Sequence, residues 1–181
     1  QGDAGAHFSE NIAILLRGVI EKVLLTYSPQ QRDLVTCDGV LWKHRDDLKD
    51  WLEDSPSTPV GFAQKAAVTV DDIGIDEWGS IRTTLARKLS WLQDEDLQEH
   101  ITNSDFSLID LIQSGGTLYI VVDPDTMADV AEWMRIIVRM AIGAKIAQGD
   151  KQTGLQTFFM LDEFPLLRHF ELIELSAGYL R

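Results

Sequence analysis

The stretch "TFFMLDEFPLL" (157–167) decides how the C-terminal part of this sequence is interpreted. Apolar and aromatic residues lead directly into two adjacent carboxylates, Asp162 and Glu163. Residues 155–161 have the composition of a strand that is buried on both faces, as in a parallel sheet. Ligands of open α/β sheets bind beyond the carboxyl ends of the strands, so the two acids stand where a ligand site is expected.

A second stretch of the same kind lies upstream, at "TLYIVV" (117–122). The residues between the two stretches predict a turn at "DPD" (123–125), followed by a long helix over 127–147. Strand, helix and strand in this order predict a βαβ unit with a right-handed crossover. Because two parallel strands do not form a stable sheet alone, we expect the other strands to come from outside this sequence.

An apolar strand that ends in Asp-Glu is the pattern of a Walker B element, which serves a magnesium-bound nucleoside triphosphate. In that interpretation Asp162 holds Mg²⁺, usually through coordinated water, and Glu163 orients or deprotonates the attacking water. The alternative is structural, because acids at the end of a strand often cap the next helix and "FP" (164–165) suits a helix start. The residues alone leave both interpretations open.

The sequence contains no recognisable loop for binding phosphate. No glycine is followed by lysine, so the motif G-x-x-x-x-G-K-[ST] is absent. The stretch "QSGGT" (113–117) is rich in glycine but leads into a predicted strand, and we interpret it as a helix stop and turn. We therefore expect no ATP hydrolysis by this chain alone.

Residues 6–105 predict a domain that is built of helices. Apolar residues at helical spacing predict one helix over 9–25 and another over 76–93. The stretch "QDEDLQEH" (93–100) is acidic and is predicted to be solvated. Shorter helices are predicted over 40–53, 60–69 and 107–114. The predicted fold class is thus a mainly α-helical domain (6–105) followed by a βαβ piece (106–181).

Composition restricts the partners of the chain. The net charge is −13, so a broad basic surface for nucleic acid is absent, and an acidic surface would attract basic protein segments. The alternative is that the acidity only keeps the domain soluble. Cys37 is the only cysteine, which excludes an internal disulfide. No apolar run approaches the roughly 18–20 residues of a membrane-spanning helix.

The other arginine and histidine residues form no recognisable catalytic or metal-binding motif in the sequence. Arg135 and Arg139 lie one turn apart on the predicted long helix, where they could approach a phosphate across a subunit boundary or form ordinary salt bridges. The four histidines lack metal-ligand spacing; they are His7, His44, His100 and His169.

The segment "FFMLDEFPLLRHFELIELSAGYLR" (158–181) resembles the Walker B region of the VirD4/TraG family of type IV secretion coupling proteins. "GGTLYIVVDPD" (115–125) looks like the segment before Walker B, and "HFSENIAILLRGVIEKVLL" (7–25) is similar to the first helix of the family's all-alpha domain. "FPLLRHF" lacks the glycine that many members have after "FPAL", and "SAGYLR" departs from the usual "GYG". These departures concern the local loop rather than the two acids.

The resemblance implies a cytoplasmic part of a hexameric ATPase that is anchored in the bacterial inner membrane by a region outside this chain. Residues 106–181 would be part of a RecA-like nucleotide-binding domain for ATP and Mg²⁺, and 6–105 an all-alpha substrate-docking domain. By motif match, Asp162 would be the acid on the Mg²⁺ side and Glu163 the catalytic base. The implied partners are other secretion components and the transported substrates, either relaxase–DNA complexes or effector proteins. No cofactor is expected on this fragment alone.

A second interpretation is a segment of a HerA/FtsK-like double-stranded DNA translocase, against which the acidic helical region argues. The chain begins Gln1-Gly2-Asp3 without methionine, and its last residues have a helical pattern. We therefore expect a piece of a longer protein, with the phosphate-binding loop upstream.

Overall fold

The structure, a computed structural model, describes residues 2–56, 61–148 and 156–162 of the 181-residue chain. The chain divides into two compact units, Gln1–Asn103 and Ser104–Arg181. The α-helices in the described residues are α1 Gly2–Thr26, α2 Leu34–Leu41, α3 Arg45–Glu53, α4 Phe62–Asp72, α5 Ile75–Lys88, α6 Glu95–Thr102, α7 Leu108–Ser114 and α8 Met127–Gln148. None of these described helices is long and apolar enough to cross a membrane.

Helix α1 supplies one face of the core of the first unit. Leu15, Val19 and Val23, spaced four residues apart, are almost fully buried, as the periodicity predicts. Two further apolar residues of the helical pattern over 9–25, Ile20 and Leu24, are instead exposed. Each directly follows a buried residue and is turned by about 100° from it around the helix axis, which places it outside the buried stripe.

Helices α1 and α4 approach each other closely. A Cβ atom placed on Gly18 would lie 2.4 Å from the Cβ of Ala66 and 2.8 Å from the carbonyl oxygen of Phe62. Only glycine fits this position without moving the helices apart. One turn along α1, the carboxylate of Glu21 accepts a hydrogen bond from the backbone N–H of Ala63 at 2.7 Å. This bond satisfies one of the N–H groups that the start of α4 leaves unpaired.

Two cations bind the carbonyl groups at the ends of α3 and α4. The Nζ of Lys22, a buried residue of α1, donates to the carbonyl oxygens of Trp51 and Asp54, the second at 2.7 Å. Burial lowers the pKa of Lys22, while the charge of Asp54 opposes that shift. Arg45 donates through Nε to the carbonyl oxygen of Val70 at 3.0 Å. These bonds satisfy carbonyl groups that helix ends leave without partners.

The predicted helix over 40–53 is confirmed for α3, Arg45–Glu53, whereas its predicted start is wrong. Helix α2 ends at Leu41 and α3 begins at Arg45, so the non-helical residues 42–44 separate the two helices. Helix α2 is not predicted from the apolar pattern, although its start carries a recognisable cap. Asp33 accepts a hydrogen bond from the backbone N–H of Thr36 at 2.7 Å.

The acidic stretch at 93–100 is mostly exposed, as predicted, but it is helical from Glu95 onward, where α6 begins, and no helix was predicted there. Asp94 caps it by accepting from the backbone N–H of Leu97 at 2.9 Å, and the Leu97 side chain is buried. Just before α6, the Nε2 of Gln93 donates to the buried carboxylate of Asp38 in α2 at 3.1 Å. Burial raises the pKa of Asp38, and its hydrogen bonds counteract that shift.

The second unit contains α7 and α8. Helix α8 confirms the predicted long helix, and α7 confirms the short helix after Ser107, whose hydroxyl accepts from the backbone N–H of Asp110 at 3.4 Å. Residues 104–148 and 156–162 contain no paired β-strands. The mainly helical part of the predicted fold class is therefore confirmed, whereas the βαβ piece is not shown.

Candidate functional site

The segment that precedes Asp162 packs on α8. Phe159 and Leu161 contact the buried side chains of Val138 and Ile142. The residues between and beside them, 158 and 160, are exposed. Side chains that alternate between a covered and an open side have the period of a β-strand.

The prediction that both apolar stretches are buried on both faces is wrong for the described residues. Val121 and Met160 are each 91% exposed, and Tyr119 and Phe158 are nearly as open to solvent. A single crossover helix covers one face of a sheet, and a second layer is needed to cover the other. These two stretches therefore contain more apolar side chains than the described part of the chain buries.

Asp162 follows the packed segment directly, and it is exposed. Its carboxylate offers the oxygen ligands that Mg²⁺ prefers, so both its position and its chemistry fit the predicted Walker B acid. Glu163, the predicted catalytic base, lies outside the described residues. Within the described part of the chain, no three histidine, cysteine or acidic residues come together to hold a metal ion. The roles of both acids stay predictions.

The glycine-rich stretch ends a helix, as predicted. Gly115 has a φ of 75°, a left-handed conformation that glycine adopts without strain. The backbone N–H of Gly116 donates to the carbonyl oxygen of Leu111 at 3.0 Å, which closes α7. These two glycines therefore serve a helix terminus in this structure.

Arg135 and Arg139 both lie on α8, as predicted. The Nη1 of Arg135 lies 3.2 Å from the Oε1 of Glu132, one turn away on the same helix. The structure therefore shows Arg135 in an ordinary salt bridge, one of the two alternatives for this residue. Arg139 is exposed.

Cys37, the only cysteine, is buried in the core of the first unit. Burial raises its pKa to about 11, and the negative charge of Asp33 acts in the same direction. At pH 8 we expect iodoacetamide to alkylate Cys37 about a hundredfold more slowly in the folded chain than in the chain unfolded by urea. Mass spectrometry of quenched samples measures both rates, and equal rates would contradict the burial of the thiol.

The first unit carries a surface of exposed carboxylates around α3. We call it the acidic surface and define it by Asp46, Asp47, Asp50 and Asp71, which are all exposed. The Nζ of Lys49 lies 2.7 Å from the Oδ1 of Asp71 and neutralises one of these charges. The acidic surface keeps a negative charge, which favours binding of cationic groups over phosphates.

Comparison with known proteins gives a family for the chain. Residues 21–181 match the profile of the family described as Type IV secretory system Conjugative DNA transfer. No curated protein and no solved structure gives a significant match. The matched range takes in most of the first compact unit and the whole of the second. The chain therefore belongs to the type IV secretory system conjugative DNA transfer family.

Proposed function

We propose that this chain is the substrate-recruiting helical domain of a type IV secretion coupling ATPase, together with its Walker B segment. The observation that carries the proposal is the position of Asp162. This residue directly follows a segment that packs on α8 with the period of a strand, in a chain that belongs to the conjugative DNA transfer family. We assign recruitment to the separate helical unit Gln1–Asn103.

ATP with Mg²⁺, when bound, supplies the phosphoanhydride bond whose hydrolysis drives transport. The carboxylate of Asp162 would hold a water molecule of the metal's hydration shell. The carboxylate of Glu163 would accept the proton of the attacking water. The loop that cradles the phosphates would come from a part of the protein outside this sequence, because the motif for it is absent here.

The 181-residue chain by itself is expected to hydrolyse no ATP above background, since it has no phosphate-binding loop. Phosphate release in the presence of Mg²⁺ is the measurement, with Asp162→Asn as the matched control. A magnesium-dependent rate that disappears in the control variant would show that the chain contains a complete nucleotide site, and it would contradict this division of the active site.

The transported substrates would be relaxase–DNA complexes or effector proteins, which the recruiting unit passes to the secretion channel. The acidic surface supports a protein segment with basic residues as the contact made by the first unit. A homo-hexamer anchored in the bacterial inner membrane would present several copies of this unit to the cytoplasm. These features complete the proposal for the longer protein.

We expect a peptide rich in lysine and arginine to bind the chain at low salt and to weaken by about tenfold or more at physiological salt. The double variant Asp46→Asn/Asp50→Asn should weaken this binding, because it removes two charges from the acidic surface. The control is Asp110→Asn/Asp129→Asn, which removes two exposed charges from the second unit. Fluorescence anisotropy measures all three affinities. Equal losses in both variants would contradict docking on α3.

A further inference from the structure

Two cations and one aromatic ring meet on the surface of the first unit. The guanidinium carbon of Arg17 lies 5.4 Å from the centre of the Phe62 ring, and the Nζ of Lys65 lies 5.6 Å from it. Both distances are within the range of cation–π attraction. The Phe62 side chain is 39% exposed, so the ring is open to a ligand as well as to the cations.

Both cations are available to an anion. Within the described part of the chain, neither Arg17 nor Lys65 forms an ion pair with a carboxylate. Other cations of the same unit are engaged: Lys22 and Arg45 bind backbone carbonyls, and Lys49 binds carboxylates. What distinguishes Arg17 and Lys65 is that both approach the same aromatic ring, so two positive charges lie together beside Phe62.

Apolar side chains flank the two cations. Leu24 lies seven residues after Arg17 on the same side of α1, and it is half exposed. Val68 lies three residues after Lys65 on α4, and it is more exposed still. We call these five residues the cation–aromatic surface: Arg17, Leu24, Phe62, Lys65 and Val68.

We propose that the cation–aromatic surface docks a segment of a partner protein in which two adjacent acidic residues are flanked by large apolar ones. The carboxylates would pair with Arg17 and Lys65, and the apolar side chains would cover Phe62 and its apolar neighbours. This inference goes beyond the proposed function and rests on the geometry of α1 and α4 alone.

The same surface is poorly suited to nucleic acid. A polyanion would be repelled by a chain of net charge −13, whereas a segment with one or two carboxylates needs only the local cations. Charge complementarity therefore favours an acidic protein segment over DNA.

The test uses a fluorescein-labelled peptide with the core Leu-Glu-Asp-Leu, titrated with the full 181-residue chain. The double variant Arg17→Gln/Lys65→Gln is expected to bind it about tenfold more weakly or worse. Lys43→Gln/Arg87→Gln is the matched control, because it removes the same charge from exposed positions elsewhere in the unit and should leave the affinity unchanged. Circular dichroism verifies that all variants are folded.

Three further measurements decide the class of partner. Phe62→Leu should weaken binding with both cations in place, and a peptide with the core Leu-Gln-Asn-Leu should not bind. Equal losses in the two double variants, or no binding by the unmodified chain at millimolar concentration, would overturn the proposal. Displacement of the acidic peptide by a short DNA duplex would also overturn it, in favour of nucleic acid.

Discussion

Replacing Glu163 by glutamine in the longer ATPase that we propose is expected to lower the rate of ATP hydrolysis by about 10²–10⁴-fold, with nucleotide binding retained. Glutamine keeps the size of the side chain but does not accept a proton from the attacking water. Asp162 is unchanged in this variant, so magnesium-dependent binding of the nucleotide should persist. Steady-state phosphate release and equilibrium binding of a fluorescent ATP analogue measure the two properties separately.

Glu171→Gln is the matched control for that experiment, because it makes the same chemical change eight residues further along the chain. We expect the control variant to hydrolyse ATP at the rate of the unmodified protein. An unchanged rate in Glu163→Gln would contradict the Walker B assignment. It would favour the alternative in which the two acids only cap the next helix.

Replacing Gly18 by alanine is expected to lower the free energy of unfolding of the first unit by about 2 kcal/mol. The added Cβ would lie 2.4 Å from the Cβ of Ala66 and 2.8 Å from the carbonyl oxygen of Phe62. A backbone carbonyl within a helix does not rotate away, so α1 and α4 must separate and the core between them loosens. Urea titration followed by circular dichroism measures the loss.

The same substitution at Gly79 is expected to change the free energy of unfolding in the opposite direction. Gly79 lies in α5, it is exposed, and a Cβ placed there meets nothing within 4 Å. Alanine should therefore raise the free energy of unfolding by about 0.5–1 kcal/mol through its higher helix propensity. If Gly18→Ala were as stabilising as Gly79→Ala, the close approach of α1 and α4 would be wrong.

The helices with long apolar periodicity could be predicted from the sequence, because one buried stripe determines each of them. Val19 and Val23 in α1, and Trp78 and Ile81 in α5, are buried as their spacing indicates. The short helices α2 and α6 were not predicted because each has only eight residues, too few for a clear apolar periodicity, and depends on a cap. The signal was present, since Asp33 and Asp94 are acidic residues at helix starts, but it is weak without the tertiary contacts.

The candidate sites differ in how far the sequence predicts them. The pair Asp162 and Glu163 can be recognised because an apolar strand and two acids are contiguous in the chain. The cation–aromatic surface cannot be recognised in this way. Arg17 and Phe62 are distant in sequence and meet only because Gly18 lets α1 approach α4 closely. The apolar stretches 117–122 and 155–161 were predicted to be buried on both faces, and this prediction went too far. Composition shows that a stretch is apolar, but it does not show which part of the chain, if any, covers its second face.

The most direct test of the central claim is a competition titration of the purified chain at physiological salt. A labelled DNA duplex and the C-terminal segments of candidate relaxases and secreted effectors would compete for binding. If the first unit recruits protein substrates, the protein segments bind and the duplex does not, as the net charge of −13 leads us to expect. Tight binding of the duplex, undisturbed by the protein segments, would contradict the recruiting role and favour a double-stranded DNA translocase.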